Sequence, residues 1–201
     1  MLRKSNIKFA RSVASVGSGS LPILAKRRQQ RHQVNAHSSA VRVLGVDPGL
    51  HITGYGLVEF NSAAAKIVEA GTLRTDAKAD MAWRIASLYE DLTELLKELS
   101  PDVVAIEQLY AHYKHPRTAI LMGHARGVLL LAAQQAGLIV KHLAATNVKK
   151  GLTGNGHASK HQMQRAIQDL CHLAAPPEPP DVADALAIAL IAGRHLLMNA
   201  K

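Results

Sequence analysis

Cysteine, long apolar runs and, at one end, negative charge are all scarce in this chain, and each scarcity excludes something. Cys171 is its single cysteine. Neither an internal disulfide framework nor a cysteine-based zinc site can form, and a reducing compartment is the simpler setting. The longest apolar stretch, Ala185 to Gly193, falls far short of the roughly 20 residues a spanning helix needs, so the chain does not read as a membrane protein. No segment repeats another. What is present, 48% hydrophobic and 19% charged residues in a chain of 201, fits one soluble domain or one domain plus a tail. A chain of this length buries about 70% of the surface it exposes when unfolded and needs no staple.

The formal charge is +9, yet it is unevenly spread. Of the 24 basic residues, eight lie in residues 1–40, where there is no acid at all, leaving 16 against 15 acids in residues 41–201. The body is close to neutral, so any nucleic-acid contact there depends on local placement of charge. The first 40 residues also hold seven serines and no sustained apolar period. They read as a disordered basic arm (residues 1–40), as an organellar transit peptide, or as the product of a misassigned start. They are not a secretory signal, because Leu21 to Ala25 is short and broken by Pro22.

From Val41 the pattern changes. Residues 41–47 form a β-branched run ended by Pro48-Gly49, a strand and a turn; 52–60 and 66–73 read as two more strands. Met81, Ile85, Leu88, Leu92, Leu95 and Leu96 repeat at a helical period, and Ser100-Pro101 stops it. Residues 102–107 are an almost continuously apolar strand, suited to a buried parallel position. There follow a polar loop (108–116), a helix (117–136), a strand (138–142), a loop (149–156), a helix (159–172), a proline-rich connector (174–180) and a last helix (182–198). The order β-β-β-α-β-α-β-α-α predicts an α/β fold, a mixed sheet with helices on its faces.

Four acids stand out by position. Asp47 closes the first strand, Glu107 ends the buried one, and Asp181 and Asp184 lie three residues apart at the start of the last helix, on one face. Ligands bind at the carboxyl ends of strands in open α/β sheets, and an acid there is costly unless a cation meets it. Singly, Asp181 is most simply a helix cap, Asp47 a turn residue and Glu107 an exposed strand end. Together they point to a shared divalent cation, and their hard oxygens favour Mg²⁺ or Mn²⁺ over zinc. His157 and His161, and His112 and His115, have spacings compatible with metal ligation, but neither pair has a third ligand nearby.

Leu-Gly-Val-Asp-Pro-Gly (44–49) with Thr53-Gly-Tyr-Gly56, Ala105-Ile-Glu-Gln108, Gly123-His-Ala-Arg-Gly127 and Asp181-Val-Ala-Asp-Ala-Leu-Ala-Ile188 together resemble the RuvC family of Holliday junction resolvases, the crossover junction endodeoxyribonucleases. The resemblance implies an RNase H-like nuclease domain over residues 41–201, with a mixed five-stranded sheet flanked by helices. It also implies a homodimer that nicks opposed strands of a four-way DNA junction in recombination and repair. The family's four metal-binding acids match Asp47, Glu107, Asp181 and Asp184, with two Mg²⁺ per subunit and Mn²⁺ as a substitute. Its two DNA-contacting lysines match Lys149 and Lys160. Tyr110 stands where the family usually has phenylalanine and contacts bases at the junction centre. Lys150 and Arg165, and Arg117 with Lys114 and the nearby histidines, are further candidates for phosphate contact. Gly154 and Gly156 are turn glycines or an approach to phosphate. The resemblance further implies a RuvA–RuvB branch-migration complex as partner and a bacterial cytoplasmic, nucleoid-associated setting, with organellar import through the arm as the alternative.

Three rival readings remain. An actin-like or sugar-kinase-like ATPase would need a second similar half. A non-catalytic junction-binding protein sits poorly with four acids present. Another RNase H-like nuclease acting on RNA or an RNA–DNA hybrid shares the chemistry and differs in substrate.

Overall fold

The computed structural model describes residues 40–61, 64–109 and 116–199. The basic arm, except Ala40, lies outside the described residues, as do Tyr110, His112, Lys114 and His115. Three strands come first: β1 (Ala40–Asp47), β2 (Ile52–Asn61) and β3 (Ala65–Arg74). They are followed by α1 (Met81–Leu99), β4 (Val103–Glu107), α2 (Pro116–Gln135) and β5 (Ile139–Leu143). Three helices, α3 (Ala145–Thr153), α4 (Lys160–Leu170) and α5 (Pro180–Asn199), complete the order. The five strands form one sheet in the order β3-β2-β1-β4-β5. β1, β2 and β3 make an antiparallel meander, while β4 and β5 run parallel to β1. This is the mixed sheet that the sequence predicts.

Strand alternation divides the core into two layers. Val43, Val103 and Ala105 face α5, together with Met163 and Ile167 of α4 and Val148 of α3. Leu44, Val46, Val104 and Ile106 face the other way, onto Leu88, Leu92 and Leu96 of α1 and Ala125, Leu129 and Ala133 of α2. α5 is buried without interruption from Val182 to Gly193 apart from Asp184, as expected of a helix lying across the middle of a sheet. No described helix is long and apolar enough to cross a membrane.

Local chemistry sets the ends of the helices. Asp80 accepts from the backbone N–H of Trp83 at 2.8 Å and caps α1, which Ser100 ends in a left-handed conformation. Ser159 and Gln162 form a reciprocal capping box at the start of α4.

Two expectations need correction. Residues 149–156 are not a loop: α3 runs through Thr153, and Gly154, at φ +77°, closes it. Gly151, Thr153, Gly154, Asn155 and Gly156 give the segment the composition of a turn. Tertiary packing decides otherwise, because Val148 is buried and Gly151 lies where a Cβ would stand 2.8 Å from Ile191. The last helix also begins earlier, at Pro180, with proline in its first position. Asp181 therefore lies within the helix.

Candidate active site

Parallel pairing of β1 and β4 brings the first two acids side by side. The ladder runs from Val43 with Val103 to Val46 with Ile106, and Asp47 and Glu107 are each one residue beyond its last pair. Their side chains fall on the same face as Val43 and Val103, the face that carries α5. The other two acids come from the first turns of α5, where the helix dipole favours negative charge.

Glycine allows the approach. A Cβ on Gly45 would lie 2.1 Å from the carbonyl oxygen of Ala185 and 2.6 Å from the nitrogen of Ala189. A Cβ on Gly54, which pairs with Asp47 across the β1–β2 ladder, would lie 2.1 Å from the carbonyl oxygen of Asp181. The backbone of α5 thus rests directly on β1 and β2, and its first turns reach the strand ends. The turn after Asp47 is fastened separately. The buried Thr53 hydroxyl donates to the carbonyl of Gly49 at 2.6 Å and accepts from its N–H at 3.3 Å. Thr75, also buried, donates to the carbonyl of Leu50, and Arg84 donates to both Thr75 Oγ1 (3.1 Å) and the Leu50 carbonyl (3.3 Å).

Electrostatics shows that the acids share one neighbourhood. Burial pushes the pKa of Asp47 up to about 8, and the charges of Glu107, Asp184 and Asp181 press it the same way, against Lys160. Burial, then Asp184, raises Glu107, with Lys149 and Lys160 opposing. Asp184 is raised by burial and by Asp181, again with Lys160 and Lys149 opposing. Crowded, desolvated carboxylates are costly in this form. Among the described residues, no three His, Cys, Asp or Glu side chains are closed into a ready metal cage. Uncompensated negative charge and an all-oxygen donor set nonetheless fit a hard dication.

The sequence-predicted residues therefore divide. Asp47, Glu107, Asp181, Asp184, Lys149 and Lys160 act on one another. Lys149 lies on α3 and Lys160 is the first residue of α4, on the two sides of the Gly154–Gly156 turn. Lys150 and Arg117 are exposed, and neither contributes to the field at the acids. Tyr110 lies outside the described residues. His157 and His161 belong to no metal-binding group among the described residues. Sequence reasoning assigned no role to Thr53, Thr75, Arg84 or Arg126. Thr53 and Arg126 were visible within the Thr53–Gly56 and Gly123–Gly127 motifs, whereas Thr75 and Arg84 carried no signal beyond their residue type.

The chain matches the family described as Crossover junction endodeoxyribonuclease RuvC over residues 43–192. A curated protein of that name from Rhodopirellula baltica is 45% identical over 161 residues, 80% of this chain and 90% of that protein. Another, from Moorella thermoacetica, is 43% identical over 148 residues, 74% of this chain and 88% of its own length. Among solved structures, Thermus thermophilus RuvC in complex with Holliday junction substrate superposes with a TM-score of 0.73 at 30% identity, covering 79% of this chain and 96% of that one.

Proposed function

Since the chain belongs to the RuvC family of crossover junction endodeoxyribonucleases, we infer that it is a Holliday junction resolvase, hydrolysing phosphodiester bonds in four-way DNA during recombination and repair. The observation that carries this reading is the convergence of Asp47 and Glu107, on adjacent parallel strand ends, with Asp181 and Asp184 on the helix pressed against them. The family is divalent-metal-dependent, and here the four carboxylates would hold the cations, two Mg²⁺ per subunit with Mn²⁺ as a substitute. When bound, such a pair supplies an activated water and stabilises the leaving 3′-oxygen. Cation binding requires ionised carboxylates, so it works against the burial that raises Asp47 and Glu107. Lys149 and Lys160, which oppose the upward shifts of Glu107 and Asp184, are placed to steady the charge that develops at the scissile phosphate. Tyr110 is proposed to stack on an unpaired base at the junction centre, a contact worth about 1–3 kcal/mol by analogy with single-strand binders. Lys150 and Arg117 are proposed to hold phosphates farther from the cut.

A homodimer would let two such sites nick opposed strands. α2 supports this: Ile120 (59% exposed) and Leu131 (49%) point to solvent, and Gly123 and Gly127 between them have open space where a side chain would go. Each helix-interior glycine weakens a helix by about 1 kcal/mol relative to alanine. Two on one outward stripe suit the close approach of a second helix. A RuvA–RuvB complex is the proposed branch-migration partner. The bacterial cytoplasm is the proposed setting, since the relatives described above are bacterial.

The deciding experiment offers a synthetic four-way junction, a linear duplex and an RNA–DNA hybrid to the full chain with Mg²⁺. The expected result is paired, symmetric nicks in the junction whose ends a ligase can seal. Preferential cutting of the hybrid would assign the site to a different RNase H-like nuclease, and tight junction binding without any cut would make the protein a non-catalytic binder.

A further inference from the structure

The strand end that carries Glu107 has a hydrogen-bonding defect that the sequence creates and one side chain repairs. The N–H of Gln108 turns toward β5 and donates to the carbonyl of Leu143 at 2.8 Å. In a trans peptide the C=O points opposite to the N–H, so the carbonyl of Glu107 turns toward β1. Val46 pairs with Ile106, and in a parallel ladder the next donor along β1 would come from residue 48. That residue is Pro48, which has no N–H. Arg126 supplies the missing donor: from α2, its Nε donates to the Glu107 carbonyl at 2.9 Å. The same guanidinium places Nη2 2.7 Å from Nδ1 of His142 on β5. A guanidinium cannot accept, so Nδ1 of His142 bears the lone pair and the ring proton sits on Nε2. Burial, and then the charge of Arg126, lower the His142 pKa, in keeping with a neutral ring. Hydrogen bonds from a charged donor are stronger than those between neutral groups and hold the direction of a strand end.

We propose that Arg126 is a positioning residue of the nuclease site, standing in for the N–H that Pro48 lacks and, braced against His142, fixing the end of β4 from which Glu107 reaches the other acids. It touches no reacting atom. It also ties α2, the helix after the 108–115 segment, to the strand that delivers a carboxylate. This inference rests on the reading of the four acids as the cation site.

The test uses the full chain with Arg126→Gln and Arg126→Lys. Lysine can still donate to one carbonyl but cannot span to His142 as well. Mn²⁺ binding to the DNA-free protein is titrated by electron paramagnetic resonance. Cutting rate, cation-free junction affinity and circular dichroism are measured alongside. The expected result is a Mn²⁺ midpoint raised about tenfold or more in Arg126→Gln, the scale on which outer-sphere supports of a metal site act. Junction affinity and helix content should match the parent, with Arg126→Lys intermediate. An unchanged Mn²⁺ midpoint overturns the proposal whatever the cutting rate, and so does a loss of junction affinity, which would make Arg126 a DNA contact. If Arg126→Gln does not fold, the midpoint of Arg126→Lys decides by the same criterion. A parent that neither binds Mn²⁺ nor cuts junctions would instead overturn the reading of the acids themselves.

Discussion

Gly45→Ala tests whether backbone contact between β1 and α5 sets the catalytic geometry. The added methyl would meet the Ala185 carbonyl oxygen at 2.1 Å and the Ala189 nitrogen at 2.6 Å, and ordinary contact begins at 3.4 Å. Both obstacles are helix backbone. The clash cannot be relieved by a rotamer change, so α5 must retreat by about 1 Å beside Asp184. Overpacking of this kind costs about 1–3 kcal/mol of stability. Catalytic groups tolerate displacements of only about 0.5 Å, and a shift of about 1 Å lowers the rate about 100-fold. Urea unfolding should therefore show a loss of about 1–3 kcal/mol, and single-turnover junction cutting should fall about 100-fold. Junction affinity should hold. Gly56→Ala is the matched control, because its methyl first meets the flexible end of Leu186, at 2.7 Å. It should leave cutting much closer to the parental rate. Gly45→Ala cutting as fast as the parent, or Gly56→Ala failing equally, would refute the argument.

Further predictions concern charge and assembly. In cation-free protein the Asp47 pKa of about 8 lies above its ordinary 3.8, so the folded chain binds a proton the unfolded chain does not, and stability falls as pH rises across that interval. Asp47→Asn should therefore abolish cutting, keep junction binding, and raise the urea midpoint in chelator at pH 8.5, with the gain fading toward pH 4. A variant less stable than the parent at pH 8.5 would contradict this. Lys160→Ala removes a charge that lowers Asp47, Glu107 and Asp184. It should slow cutting about 100-fold and move the acid limb of the pH–rate profile to higher pH, which stopped-time cleavage from pH 6 to 9 would show. Chelation should stop cutting without releasing the junction in a gel-shift assay, and added Mn²⁺ should restore it. Gly127→Leu should convert a dimer to a folded monomer in sedimentation equilibrium; a dimer of unchanged affinity would remove α2 from the interface.

The chain itself determined the sheet and its acids. β-branched runs, Pro48-Gly49 and the stop at Ser100-Pro101 mark elements whose hydrophobic period is local. Asp47 and Glu107 were conspicuous because apolar strands end in them. Local signals failed where packing overrode them: a glycine-rich stretch became part of α3 once Val148 was buried and Gly151 met Ile191. Only the tertiary structure shows that Gly45 and Gly54 are the points where α5 descends onto the strands. The same holds for Thr53, which fastens the turn after Asp47, and for Arg126, which supplies a donor that Pro48 cannot. The physical reason is range. Period and turn chemistry act over a few residues, whereas a carboxylate raised to a pKa of about 8 by burial and by three others depends on distances that exist only after the sheet is paired and the helix laid across it.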